Sequence, residues 1–482
     1  MHFMESIHEE MNLTTTENGA LTHKTSLSAL VDFFSRGAAL RTRTEGEIIA
    51  LFSKAFAEDH ELAVKCLFYV RDIRGGQGER RTFRICFKWL LTNFSKEVEP
   101  LISLIPEYGR YDDVLSLFYV NPKLISDMIL MKLTDDQKRL NAGKPISLLA
   151  KWLPSINTSS KTTRTIARDL CKAMDISQAA YRRILSQFRA YLKLVEKNMS
   201  ANNWESIQYA EVPSRASMLY RKAFARHDEA RYAQYLADVK SGKTAIHAGT
   251  LYPYDIVKRY LEPASGWDET LEEQWKALPN YMDVAENSIV VADVSGSMQG
   301  VPLAVSISLA LYFAERNTGA FKDYFMTFSL KPKVQHITGK TLFERVQQLE
   351  CATWGMNTNL YAVFQSILTH ARAKNAKPEE LPSRVYIISD MEFDSAIEDD
   401  TTMQSVQKLY QVYGYEAPEI IFWNVDARND QSPITVNDKG VCMVSGCSPV
   451  ILKYLLNKKI LDAKETMLTV LSSERYQPIT LA

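Results

Sequence analysis

The chain lacks a net charge, a long apolar run and any concentration of cysteine. Lys+Arg and Asp+Glu each number 57 in 482 residues, so no overall field advertises nucleic acid or an anionic membrane as partner. No apolar stretch reaches the roughly 18 residues that a membrane span needs. Residues 1–13 are polar and acidic, without the basic and apolar regions of a secretion signal. Both features predict a cytoplasmic protein with no membrane association. Six cysteines (Cys66, Cys86, Cys171, Cys351, Cys442, Cys447) and eight histidines are scattered, which argues against a disulfide framework or a zinc cluster. What is present is ordinary for a folded protein: 46% hydrophobic and 24% charged residues, with length for about three domain-equivalents. The neutrality is a cancellation. Residues 1–260 hold 38 basic and 29 acidic side chains, net +9, and residues 261–482 hold 19 and 28, net −9. Two parts with different tasks are expected.

Residues 1–25 are polar and read as a tail, or as an arm laid on a surface. Over 26–244 apolar residues recur at helical spacing, for example at 27–35, 45–56, 61–70, 82–93, 162–174, 177–198 and 214–239. Short breakers separate them, among them Gly75-Gly76, Pro106, Asn121-Pro122 and Pro154. This predicts an α-helical, repeat-like amino-terminal domain, although no clean repeat period is visible. Residues 245–286 read as a packed connector, since they hold Trp267 and Trp275. From 287 to 482 short β-branched runs alternate with amphipathic segments. SIVVA (288–292), VYIIS (385–389), EIIFWNV (419–425) and 441–445 read as buried strands, with a hairpin or adjacent strand pair at 323–328 and 333–337. The fold class expected is therefore multidomain, the carboxyl-terminal part being a doubly wound, Rossmann-like α/β domain whose ligands sit at strand carboxyl ends.

Chemistry concentrates at those ends. SIVVA runs into Asp293-Val294-Ser295-Gly296-Ser297, and VYIIS runs into Asp390. Between them the polar loop Gly355-Met356-Asn357-Thr358-Asn359 opens a helix. Asp293, Ser295, Ser297, Thr358 and Asp390 are hard oxygen donors suited to Mg²⁺, with Mn²⁺ or Ca²⁺ admitted by the same set. Two carboxylates leave such an ion partly charged and able to dock an external carboxylate or phosphate. The competing reading is that Asp293 only caps the following turn.

This order of motifs resembles the metal-ion-dependent adhesion site of von Willebrand factor A (vWA) domains, with Asp293, Ser295 and Ser297 on its first motif, Thr358 on its threonine and Asp390 on its second aspartate. The helical half extends the resemblance. Residues 68–81 (FYVRDIRGGQGERR) and 108–113 (YGRYDD) are similar to signatures of the Ro/TROVE group. KWLP (151–154), VPS (212–214) and SDMEFD (389–394) bring the chain nearer to an uncharacterised relative of that group found in bacteria, plants and large viruses. The resemblance implies a ribonucleoprotein component: a helical domain that binds structured or misfolded RNA, followed by a vWA domain. The helical half is short for a closed ring.

The basic residues supply candidates for that RNA. Residues 151–260 carry 19 basic and 9 acidic side chains, net +10. Lys161, Arg164, Arg168, Lys172, Arg182 and Arg183 form the densest run, and Arg71, Arg74, Arg80, Arg81 and Arg84 surround the glycines, with Arg110 in the next motif. Forked guanidinium donors and glycine backbone suit phosphate, and Tyr69, Tyr108, Tyr181 and Trp204 are candidate base-stacking platforms. Asp72 and Glu79 lie among the arginines, so self-pairing competes there. Catalytic motifs are incomplete. The two G-K-T triplets lack the upstream glycine of a P-loop, since Ala237 and Val334 stand there. No G-x-S-x-G turn exists. A phosphatase built on a strand-end aspartate would want a carboxylate at 295, which is serine. A non-enzymatic binding protein is expected. The alternative is an assembly scaffold whose metal site docks an acidic residue of a protein partner.

Overall fold

A computed structural model describes the chain except for residues 1–6, 8–10, 283–285, 329–331, 352–357, 396–399 and 457–458. It has a helical amino-terminal region and a carboxyl-terminal mixed sheet, in two compact units. The first unit comprises Met1–Thr82 and Ile246–Pro478, and the second Phe83–Ala245 with Ile479–Ala482. This division departs from the sequence expectation. The helices Ala29–Arg36, Glu45–Glu58 and His60–Arg71 join the sheet unit, not the helical array predicted for 26–244.

In the first unit the strands are β1 (Leu13–Thr15), β2 (Leu21–His23), β3 (Ser288–Ala292), β4 (Tyr324–Thr327), β5 (Val334–His336), β6 (Arg384–Ser389), β7 (Glu419–Asn424) and β8 (Val441–Ser445). β1 and β2 form an antiparallel hairpin. The other six form one sheet in the order β5-β4-β3-β6-β7-β8, parallel throughout except for the β4–β5 edge. β3, β6 and β8 are buried at every position, which is why their sequences are continuous apolar runs and not alternating ones. The helix Val301–Arg316 is apolar on all sides and buried along most of its length. It is covered by the segment expected to be a connector. Trp275 donates its indole N–H to Glu315 at 2.7 Å, and Tyr312 donates its hydroxyl to Pro279 O at 2.7 Å. Glu272 accepts from the backbone N–H groups of Leu342 (2.8 Å) and Phe343 (3.1 Å), closing the start of the helix Leu342–Glu350. Residues 246–282 therefore belong to the first unit and pack through Trp275, Glu272 and Pro279, while Trp267 is exposed.

At the β8 edge the Ser445 hydroxyl donates to Phe34 O (3.1 Å) and accepts from Ala38 N–H (3.3 Å), so the amino-terminal helices are bonded to the sheet. The β1–β2 hairpin continues this wrapping, with isolated bridges from Gly19 to Asp394 and from His23 to Ser432. The six cysteines are free and, Cys351 apart, buried.

All regular secondary structure among the described residues of the second unit is helical. It includes Pro122–Asn141, Lys161–Ala173, Gln178–Tyr191, Ser214–His227 and Glu229–Lys240. One of its cores gathers Ile207, Tyr209, Phe224, Tyr232 and Leu236. Two expected long helices are broken. The 177–198 segment stops at Tyr191 and restarts at Val195, with Lys193 at φ 47°. The 214–239 segment breaks at Asp228, whose carboxylate accepts from the Tyr209 hydroxyl (2.8 Å) and Arg231 (2.7 Å). No glycine or proline marks either break; at Asp228 the tertiary partners replace a local signal.

Candidate functional site

β3 and β6 are neighbours, with Ala292 opposite Ile388. Asp293 and Asp390 thus leave adjacent carboxyl ends where the strand order reverses, the place that favours ligands in open α/β sheets. Asp293 is fully buried, and its N–H donates to Ile388 O at 2.9 Å. Its Oδ1 accepts from Ser295 N–H (2.9 Å) and its Oδ2 from the Ser389 hydroxyl (2.8 Å). The hydroxyls of Ser295 and Ser297 are 3.0 Å apart, and Ser297 donates to Asp390 Oδ2 at 2.8 Å. The structure brings these four predicted residues into one hydrogen-bonded set.

Thr358 is buried at the start of the helix Leu360–Ala373. Its N–H donates to Asp394 Oδ2 at 2.7 Å and its carbonyl accepts from Asp394 N–H at 3.1 Å, which ties it to the segment after Asp390. Gly355, Met356 and Asn357 of the predicted loop lie outside the described residues. Burial and then the charge of Asp390 push the Asp293 carboxyl up to about 6. A bound cation would relieve both effects, and two carboxylates with three hydroxyls are the donors that Mg²⁺, Mn²⁺ or Ca²⁺ accepts. Among the described residues no group of three or more His, Cys, Asp and Glu side chains converges as a metal cluster, here or elsewhere, and the candidate set has two carboxylates only.

One site residue has no counterpart in the sequence motifs. Arg428, in the loop after β7, places Nη2 at 2.7 Å from Asp390 Oδ2 and Nη1 at 3.1 Å from Glu17 Oε2. Nothing local in the sequence signals this, because its partners are 38 and 411 positions away (428−390 and 428−17).

The two basic clusters have different surroundings. Arg71 is buried, which removes it from any phosphate-contacting set. Arg84 pairs with Asp112 (2.8 Å) and Asp113 (2.7 Å), and Arg110 lies over the Trp152 ring at 5.1 Å from its centroid. Arg74, Arg80 and Arg81 are exposed, Arg81 donating to Leu40 O at 3.3 Å. Two of the three glycines have their amides engaged. Gly76 N–H donates to Asp72 O, Gln77 N–H to Tyr69 O and Gly78 N–H to Asp72 O. A Cβ at Gly76 would stand 2.0 Å from Tyr69 O, so glycine is required there by internal packing. Asp72 is buried and bound by the Arg475 guanidinium, with the Tyr476 hydroxyl at 3.2 Å. This motif is a clamp within the first unit, and its reading as a phosphate loop is corrected.

In the second unit Lys161, Arg168 and Lys172 share one stripe of the helix Lys161–Ala173, since spacings of seven and four return to the same face. With Arg182 and Arg183 on the helix Gln178–Tyr191 they are exposed and in no ion pair among the described residues. Arg164 is half-buried and donates to Thr158 O at 3.2 Å. Arg189, on the same helix as Arg182 and Arg183, is held by Ala150 O (2.8 Å) and Leu153 O (2.6 Å). The stacking platforms are corrected too. Tyr69, Tyr108 and Tyr181 are buried, and Trp204 is already stacked on His227 at 4.5 Å. No helix among the described residues is long and apolar enough to cross a membrane.

Residues 16–98 and 110–287 match the profile described as Domain of unknown function (DUF2828), and residues 287–478 match Domain of unknown function (DUF7788). An uncharacterized protein of Acanthamoeba polyphaga mimivirus is 30% identical over 512 residues, covering 97% of this chain and 89% of the viral protein. The sequence expectation of a relation to an uncharacterised group with members in large viruses is met by this similarity. The junction of the two profiles falls at 287, whereas the compact units part after Thr82 and after Ala245.

Proposed function

We propose that this chain, which belongs to the family of Domain of unknown function (DUF2828), is a non-enzymatic binding protein with two separate ligands. The sheet unit acts as a vWA-like module. It holds a divalent cation, Mg²⁺ first, through Asp293, Ser295, Ser297, Thr358 and Asp390, and docks an external oxyanion on that ion. The helical unit binds the RNA backbone through Lys161, Arg168, Lys172, Arg182 and Arg183, in the manner implied by the resemblance to Ro/TROVE proteins.

The observation that carries the metal reading is the hydrogen-bonded chain from Asp293 through Ser295 and Ser297 to Asp390 at the strand-order reversal. A carboxyl merely capping the turn would not account for a second carboxylate bonded to Ser297 of the same turn. Support for the RNA reading is the exposed cationic stripe, which has no acidic partner among the described residues.

The test has two arms. Mn²⁺ titration of the full chain should give one site that Asp293→Asn abolishes while circular dichroism stays native. Sequencing of nucleic acid that copurifies with the protein should return RNA, released by salt with a linear log–log dependence. A partner that resists nuclease but leaves with chelator would replace the RNA reading by the scaffold reading, in which the ion docks an acidic protein residue.

A further inference from the structure

The carboxyl edge of the sheet is not open on all sides. Asp390 Oδ2 already accepts from Ser297 and from Arg428 Nη2, at 2.8 and 2.7 Å. Arg428 turns its other nitrogen to Glu17, which belongs to the turn between β1 and β2. That turn is fastened to the residues after Asp390. Thr16 donates its hydroxyl to Phe393 O at 2.6 Å, and Asn18 donates to Glu392 O at 2.7 Å. Glu17 N–H donates to Glu392 Oε2 at 2.8 Å, and Asn429 donates to both Glu17 Oε1 (2.8 Å) and Glu392 Oε1 (2.9 Å). The guanidinium is incompletely satisfied in this seat, for its Nε is buried without an acceptor.

The arrangement copies the one proposed for an ion and its ligand: a positive group on Asp390, and a carboxylate on the far side of that positive group. We infer that Arg428 and Glu17 are an internal stand-in for the cation and its docked carboxylate, so that the turn at residues 16–20 stays latched to Asp390 through Arg428 until a divalent ion displaces the guanidinium. This rests on the cation reading above and adds its regulation. It also narrows the ligand class to a carboxylate presented on a turn, as Glu17 is. A divalent ion and Arg428 compete for Asp390 Oδ2 and repel each other, and loss of the Arg428–Asp390 bond weakens the seat of Glu17.

The full chain serves as the test, with Mn²⁺ as the probe. Calorimetry measures ion affinity, and amide exchange over residues 13–23 measures the seating of the hairpin. In the wild type, Mn²⁺ should accelerate exchange over 13–23. Arg428→Gln should bind Mn²⁺ about tenfold more tightly, the order expected for removing one adjacent positive charge. Glu17→Gln should accelerate exchange over 13–23 several-fold before any ion is added. The inference is overturned if Mn²⁺ binds and exchange over 13–23 does not move, or if folded Arg428→Gln binds no more tightly than the wild type. Should Arg428→Gln not fold, the Glu17→Gln exchange and the wild-type response to Mn²⁺ decide. If the folded wild type and folded Arg428→Gln both fail to bind Mn²⁺, the cation reading falls and this inference with it.

Discussion

Two arginine-rich stretches of this protein look alike in sequence and differ in three dimensions. Residues 71–84 hold five arginines around three glycines, and residues 161–183 hold six basic side chains on two helices. In the first stretch Arg71 is buried, Arg84 is paired with two aspartates, and the amides of Gly76 and Gly78 are bonded to the chain's own carbonyls. In the second, five of the six cations are exposed and in no ion pair among the described residues. The difference lies in the carboxylates. Asp72 and Glu79 sit inside the first stretch and Asp112 and Asp113 close to it, whereas Asp169 and Asp175 are the only acids within the second. Asp169 accepts from the Tyr119 hydroxyl at 2.9 Å. An arginine near a glycine and an acid is better read first as architecture.

Variants that attack each stretch should separate stability from binding. Gly76→Ala should have the largest effect, about 3 kcal/mol or more of lost stability, because a Cβ there meets a backbone oxygen that cannot retreat. Chemical denaturation of the full chain measures it. Asp72→Asn leaves Arg475 without its carboxylate and should cost about 2–3 kcal/mol, somewhat below the figure for a fully buried pair because Arg475 is partly exposed. Neither variant, where folded, should alter the salt dependence of RNA binding. The double variant Lys161→Glu with Arg168→Glu should do the opposite. Its unfolding free energy should stay within about 0.5 kcal/mol of the wild type. Its RNA affinity should fall about tenfold or more, and the log–log salt slope should flatten by about 0.7–0.9 for each phosphate that is no longer neutralised. If this double variant binds RNA with an unchanged slope, the contrast between the stretches loses its functional meaning.

The smallest effect belongs to the sheet edge. Asp293→Asn removes one of two facing carboxylates and should raise metal-free stability, on the order of 1 kcal/mol, while abolishing Mn²⁺ binding. A thermal scan in chelator, compared with one in Mn²⁺, reads both. A group that weakens the empty fold and is indispensable for the ion is the pattern expected of a binding site.

Much of the sheet is legible in the residues alone. SIVVA and VYIIS are buried on both faces, so their apolar residues run without interruption and mark themselves as central parallel strands. The D-x-S-x-S turn is readable on related grounds: a strand that ends abruptly in oxygen donors places them at a sheet edge. Helix breaks at Lys193 and Asp228 are not legible; at Asp228 the remote Tyr209 hydroxyl joins the local Arg231 in holding the carboxylate. The tyrosines assigned to base stacking proved to be core because an aromatic residue serves a core and a base platform equally well.

Residue type and short-range spacing were enough to pick out the oxygen donors suited to a hard cation, the central strands, and the coexistence of a basic and an acidic half. Such properties hold whatever the partners in space turn out to be. Three features instead came from the folded arrangement: residues 29–71 pack with the sheet, the glycine motif clamps Asp72 to Arg475, and Arg428 bridges Asp390 and Glu17. Each of these joins segments that lie far apart along the chain, most of them by hundreds of residues, and no local pattern encodes the closure of so long a loop.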